Sequence, residues 1–401
     1  MAGLINLKPF RDFLKSGQVG GALLIVSVIT SLLIANLGGY DWFHAILNSS
    51  FGYAPLDLRY TTEIWINDAL MAVFFLLVGL EIKREVLEGE LSSPKKAMLP
   101  IFAALGGMLV PAGIFYLFNS GTPTANGWGI PMATDIAFAL AVISMLSKRV
   151  PTSLKVFLAA LAIVDDLGAI IVIAIFYTQE LHLTNLLYAG GILALLAIMN
   201  ALGVKKLIFY IIPGLFLWYF IHHSGIHATI AGVLLAFTVP TNPVKTESPL
   251  EKLEHSIMSP VNYFIMPLFA LANTNIRFHS SMVDGLTSPL GLGIICGLLL
   301  GKTIGVSLFS FIAVKLGFSS LPGRSSWKHI IGLGMLAGIG FTMSVFIALL
   351  SFNNPEFHDE AKFSILVASL LAGSVGYTYL SIIYGKRVKK VLKYKEDRQS
   401  I

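Results

Sequence analysis

An internal disulfide is closed to this chain, which carries one cysteine, Cys296. No set of Cys or His residues has the spacing of a zinc or copper site. Charge is scarce too. Only 12% of residues are Asp, Glu, Lys or Arg, about half the share in soluble domains. Hydrophobic residues make up 55%, and the mean hydropathy is +0.77. These proportions exclude a soluble globular domain and leave an all-α polytopic membrane protein. The net charge of +6 would suit nucleic acid or an acidic partner if the basic residues were scattered. They collect on one side of the apolar runs instead, so no nucleic-acid partner is expected. The first run, Val19 to Leu37, lacks a small-residue cleavage pattern and reads as a retained helix.

Apolar runs predict about twelve transmembrane helices, near 14–37, 61–83, 97–118, 124–146, 152–177, 184–203, 206–221, 225–240, 254–273, 290–314, 328–352 and 361–384. Residues 1–401 then form a single membrane domain. With this count, twenty-four basic residues fall on the side of the N-terminus, against Arg59, Arg277 and Lys362 on the other. That asymmetry predicts an even number of spans with both termini in the cytoplasm. Among the connections, 38–60 is too polar to cross and reads as an external hairpin-like loop. The basic stretch 385–401 reads as a solvated cytoplasmic tail.

One basic residue, Lys302, belongs to neither side. It lies inside GLGIICGLLLGKTIGVSLF, where a buried cation needs a carboxylate or water. The run LAIVDDLGAIIVIAIFY, Leu161 to Tyr177, supplies two carboxylates, Asp165 and Asp166, in a segment long enough to cross a bilayer. Each ionised side chain there costs roughly 2.5–3.5 kcal/mol, so the pair points to an ion or proton path. Adjacent helical residues point about 100° apart, which lets one aspartate face Lys302 and the other an open path. Gly293, Gly297, Gly301 and Gly305 form a small-residue stripe beside Lys302, and the helix packed on that stripe is expected to carry the aspartate partner.

Two spans look broken. GWGIPMATDIAFALAVISML places Pro131 just ahead of Thr134 and Asp135, and GLGMLAGIGFTMSVFIALL places four glycines ahead of Thr342 and Ser344. Interrupted segments in corresponding parts of two halves point to a transporter site, because irregular backbone at membrane depth must line protein or water. Glu81, Arg84 and Glu85 end the second span, while Glu254 and His255 open the ninth on the same side. If these clusters meet, they make a pH-responsive mouth. By spacing alone His227 reads as structural. The implied chemistry is a site of carboxylates and neutral oxygens for a small hard cation, for which protons compete.

The motifs WINDALMAVFFLLVGLEIKRE, ATDIAFAL, ALAIVDDLGAII, SGIHATIAGV, LLLGKTIG and AGIGFTMS resemble, in order and spacing, the NhaA family of bacterial sodium/proton antiporters, from about Trp65 to Tyr384. Inverted repeats, with two discontinuous helices crossing near the bilayer midplane, are a known property of that family and follow from the resemblance, not from periodicity. The resemblance implies electrogenic, pH-regulated export of Na+ or Li+ in exchange for protons by alternating access, with no cofactor. By the same likeness Asp165 and Asp166 bind the metal cation and protons, Thr134 and Asp135 support that site, and Lys302 pairs with Asp165. Glu81, Arg84, Glu85, Glu254 and His255 match the family's pH-response cluster at the cytoplasmic funnel, and His227 matches a position linked to pH dependence. A homodimer in lipid, in the bacterial inner membrane and joined through the outer hairpin, is also implied. Met258 departs from the pattern, which carries a further His there. The rival readings are a sodium-coupled solute symporter and an intramembrane aspartyl protease using Asp135 with Asp166.

Overall fold

The computed structural model describes residues 8–399 except 147–149, 179, 242–246 and 324; side chains of 8–18, 280, 281 and 385–399 are also outside the description. Of the twenty-four basic residues on the side of the N-terminus, Lys148, Arg149, Lys245 and Arg324 therefore lie outside the described residues, as do the side chains of Lys8, Arg11, Lys15 and the basic tail.

The chain opens with α1 (Lys8–Asn36) and a short surface helix, α2 (Tyr40–Asn48). An antiparallel hairpin follows, β1 (Ser50–Tyr53) with β2 (Leu58–Thr61), in the register Ser50 to Thr61 and Tyr53 to Leu58. The tight return is made by Ala54–Leu56 and by Asp57 at φ 51°. Trp65 Nε1 donates to the Phe51 carbonyl at 3.2 Å, tying the hairpin to α3 (Thr62–Leu87). Then come α4 (Pro94–Asn119), a 3-10 segment at Ala125–Met132, α5 (Ile136–Met145), α6 (Thr152–Phe176), α7 (Leu183–Ala201), α8 (Ile208–His222) and α9 (Ile230–Thr238). Helix α10 (Pro249–Pro260) runs through a π-helical turn, Val261–Ile265, into α11 (Met266–Asn273). After α12 (Ser280–Gly285), the last elements are α13 (Pro289–Lys315), α14 (Trp327–Ala337), α15 (Phe341–Ser351) and α16 (Pro355–Gln399).

Among the described residues eight helices are long and apolar enough to cross a membrane, and α14 with α15, bent by 47°, makes a ninth. The other three expected spans are occupied by α8, α9 and α10–α11, which are shorter or more polar. Gly225, in the left-handed region at φ 86°, turns the chain between α8 and α9. At α10 a capping box between Ser248 and Glu251 starts the helix several residues before its apolar face begins.

The glycine stripe does not pack on the helix that carries the aspartates. A Cβ at Gly301 would meet Pro111, and one at Gly305 would lie 2.0 Å from the Gly106 carbonyl oxygen, so the stripe faces α4, which has no Asp. The reason is steric: Gly106 and Gly107 give α4 the matching flat face, and only backbone fits at that crossing. Lys302 reaches past Gly107, where a Cβ would sit 3.6 Å from its Nζ, to the neighbouring α6. Gly305→Ala is therefore expected to force α4 and α13 apart, at about 1–3 kcal/mol. Thermal unfolding of the purified variant in detergent checks this, and an unchanged midpoint would contradict the crossing.

Candidate functional site

Pro131 and the extended residues that follow it end the 3-10 segment before α5 starts at Ile136. On the other chain segment, α14 ends at Ala337 and α15 resumes at Phe341. The two breaks lie against each other and exchange the hydrogen bonds that their own helices have lost. Asp135 N–H donates to the Ile339 carbonyl at 2.7 Å, and the Ser344 hydroxyl donates to the Ile130 carbonyl at 2.7 Å.

Asp135 is the N-cap of α5 and accepts from Phe138 N–H at 2.9 Å through Oδ1. Its Oδ2 accepts from Thr342 N–H at 3.1 Å and from the Thr342 hydroxyl at 2.5 Å. One buried carboxylate thus meets the positive N-terminal ends of both resumed helices. Thr134 serves the other side of the crossing. Its hydroxyl lies 2.7 Å from Asp165 Oδ2 and 2.9 Å from the Ala337 carbonyl, and its single proton can satisfy only one of them at a time.

Asp165 and Lys302 are both fully buried, with Nζ 2.6 Å from Oδ2. A π-helical turn at Gly297–Gly301 in α13 ends immediately before Lys302 and sets where its side chain leaves the helix. Asp166 looks elsewhere. It lines a cavity of about 40 Å³ together with Glu81, Asp135, Asn262 and Thr342. That is enough for a few waters or a partly hydrated ion. Asp165 Oδ1, Asp166 Oδ1 and Glu81 Oε1 are buried with no hydrogen-bond partner among the described residues. Carboxylate oxygens left bare in a low-dielectric interior are costly, and such a set calls for a proton or a cation.

The second-span cluster divides in two. Arg84 Nε lies 2.9 Å from Glu254 Oε2 and its Nη1 lies 2.7 Å from Glu85 Oε1, so α3 and α10 are joined there. Glu81 is not part of that contact network and turns to the cavity. His255 does not face Arg84 either. It is 41% exposed and pairs with Glu247 at 2.9 Å, because its position on α10 points outward to the preceding loop. His227 packs elsewhere, with its ring 5.5 Å from that of Phe346 and its Nδ1 3.5 Å from the Thr229 hydroxyl. Phe346 also meets Phe75 at 5.3 Å, and the neighbouring space, lined by Phe75, Ile170, Ile173, Ile230, Val233 and the Thr229 beside His227, has no room for a water. Phe346, packed on both Phe75 and His227, stands with that closed space on the His227 side of the site.

Sequence reasoning overlooked Asn262 as a cavity residue and Lys83 as a tie, whose Nζ donates to the carbonyls of Phe237 and Val239 at 2.7 and 2.5 Å. A lone amide in the apolar stretch VNYFIMPLF was the available signal for Asn262.

The sequence model of the family described as Na+/H+ antiporter 1 matches residues 11–380. The chain belongs to this antiporter family. The chain is 60% identical over 384 residues to Na(+)/H(+) antiporter NhaA 2 of Flavobacterium johnsoniae, covering 95% of this chain and 94% of that protein. It is 51% identical to the NhaA antiporter of Flavobacterium psychrophilum, covering 93% and 96%, and 46% identical to that of Salmonella paratyphi B, covering 93% and 98%. A solved structure titled as the sodium proton antiporter MjNhaP1 of Methanocaldococcus jannaschii at pH 8 aligns with 93% of this chain and 95% of that one, at 15% identity and a TM-score of 0.47, too distant to carry an argument. For this antiporter-family chain the crossed breaks, the buried Asp165–Lys302 pair and the cavity at Asp166 are the features on which a mechanism has to rest.

Proposed function

We propose that the protein exchanges sodium for protons across a bacterial inner membrane, with both termini in the cytoplasm and Li+ as an alternative cargo. The observation that carries this reading is the pair of adjacent buried carboxylates with different surroundings: Asp165 held by Lys302 and Thr134, Asp166 facing a cavity. Protons and a small hard cation compete for the same oxygens, so occupancy by one requires departure of the other. When a cation draws Asp165 away, Lys302 loses its counter-charge, and the loss favours the opposite-facing state. Asp165 and Asp166 can each take a proton where a single monovalent cation binds, and displacement of two protons by one cation makes the exchange electrogenic. The cavity reaches Asp166 from the Glu81 side while Phe75 and Phe346 close the other. Alternating access then requires the elements that carry Phe75 and Phe346 to part as one bundle rocks against the other around the site.

Asp135 supports the site electrostatically, by neutralising two helix ends, more than by direct ligation, since both its oxygens already accept hydrogen bonds. The same engagement argues against an aspartyl protease, whose two carboxylates must share a water. A homodimer through β1 and β2 fits the unpaired outer edges of a two-stranded sheet. The test is proton flux from proteoliposomes on addition of NaCl, LiCl or KCl: Na+-driven proton movement is expected, and its absence overturns the reading.

The Arg84–Glu254–Glu85 bridge between α3 and α10 is the structural candidate for pH control, without His255 in contact. Glu254→Gln leaves Arg84 with Glu85 alone. It is expected to shift the pH of half-maximal exchange while sparing the maximal rate. A pH profile identical to that of the unaltered protein counts against this role.

A further inference from the structure

Beside the Asp165–Lys302 pair, the structure separates Glu81 from the Arg84 cluster with which the sequence groups it. Glu81 on α3 and Asn262 on the π-helical turn after α10 line the cavity that ends at Asp166. Glu81 is 5% exposed, and its Oε1 is buried without a partner. The nearby arginine offers no pairing, because Arg84 is committed to Glu85 and Glu254. Asp166 lines the same cavity as Glu81 and likewise has a bare Oδ1. Asn262 comes from a different helix, and the π turn Val261–Ile265 sets the register that presents it there. The approach is tight. Gly20 of α1 backs Asn262, and a Cβ at that glycine would meet the Asn262 backbone oxygen at 3.0 Å.

The geometry points to a staging subsite for a small monovalent cation between the Glu81 carboxylate and the Asn262 amide, one step before Asp166. The proposal rests on the antiport reading and adds to it a place where the ion waits. The chemistry suits that task. A hard cation takes oxygen ligands, one charged and one neutral, and the cavity leaves it part of its hydration shell. A single carboxylate attracts the ion, while the neutral amide keeps the subsite from holding it too long, and conduction through successive sites needs both. With both oxygens of Asp135 already accepting hydrogen bonds, the cavity offers the ion Glu81 first and Asp166 second.

The experiment measures Na+-driven proton flux in proteoliposomes at one fixed pH for the unaltered protein, Asn262→Leu, Asn262→Gln, Glu81→Gln and the double variant Glu81→Gln/Asn262→Leu. Leucine keeps the shape of asparagine and removes the ligand. Loss of that neutral oxygen is expected to raise the half-saturating Na+ concentration about fivefold with the maximal rate preserved, and Asn262→Gln, which keeps an amide oxygen, should recover part of it. The double variant should fall short of the product of the two single effects, because both residues serve one ion. A half-saturating concentration unchanged in Asn262→Leu overturns the proposal, as does a double variant equal to the product.

A second measurement does not depend on exchange. Excess broadening of the sodium-23 NMR line by the protein in nanodiscs should persist in Asp166→Asn, which keeps the subsite, and fall when Asn262→Leu is added. Equal broadening in those two proteins overturns the subsite while leaving the antiport reading standing. If the unaltered protein moves no protons with Na+, the reading and the subsite fail together.

Discussion

Asp166→Asn is expected to reduce Na+-driven proton flux by about 10²- to 10³-fold, the scale on which a buried charge-stabilising group is missed. Asparagine has nearly the shape of aspartate, so packing around the cavity is kept. Among the described residues Asp166 Oδ1 has no hydrogen bond to lose. The substitution removes one thing, a charge that both a proton and a metal cation can neutralise. Folding should not suffer. An uncompensated carboxylate 2% exposed is a burden on the folded state, and its neutral isostere should raise the unfolding midpoint or leave it unchanged. Flux by a pH-sensitive dye in proteoliposomes and thermal unfolding in detergent make the two readings. Undiminished exchange in a well-folded variant would remove Asp166 from the transport site. A collapse of stability would show that the carboxylate holds the fold together and carries no cargo.

Much of this site was legible because its parts are local. Two aspartates inside LAIVDDLGAIIVIAIFY and a lysine inside GLLLGKTIG violate the cost of charge in an apolar run wherever the helices end up. Pro131 ahead of Thr134, and the glycines ahead of Thr342, mark broken helices by backbone chemistry that acts over a few residues. What escaped depends on which helix lies beside which. The glycine stripe was visible, yet its partner is α4, and Lys302 reaches Asp165 only by passing Gly107. His255 lies next to Glu254 in sequence, but on α10 it is turned outward to Glu247. The π turns at Trp65–Leu70, Val261–Ile265 and Gly297–Gly301 have no composition of their own. They come from packing, and they place Asn262 and Lys302.

The largest effect on stability is expected from Lys302→Met. Nζ and Asp165 Oδ2 are 2.6 Å apart, and neither side chain is exposed to solvent. Taking two charges from water costs several kcal/mol for each, and their attraction repays that only while both are present. Methionine fills the lysine's stem volume without the charge. It would strand the Asp165 carboxylate with one remaining donor, the Thr134 hydroxyl, which the Ala337 carbonyl also claims. A loss of about 3–5 kcal/mol follows from breaking a buried pair on one side only. The double variant Lys302→Met/Asp165→Asn leaves no unpaired charge and should regain most of that loss, because two neutral side chains of similar volume are about as stable as the pair they replace. Thermal unfolding of the unaltered protein, Lys302→Met and the double variant, in one detergent at one pH, separates the explanations. If the double variant is no more stable than Lys302→Met, the lysine contributes by packing against α4 and its attraction to Asp165 is not what holds the pair in place. If it recovers, the pair is an electrostatic latch whose partners are stable together or neutral together. A cation that takes the place of the lysine at Asp165 would then unlock it without unfolding the crossing around it.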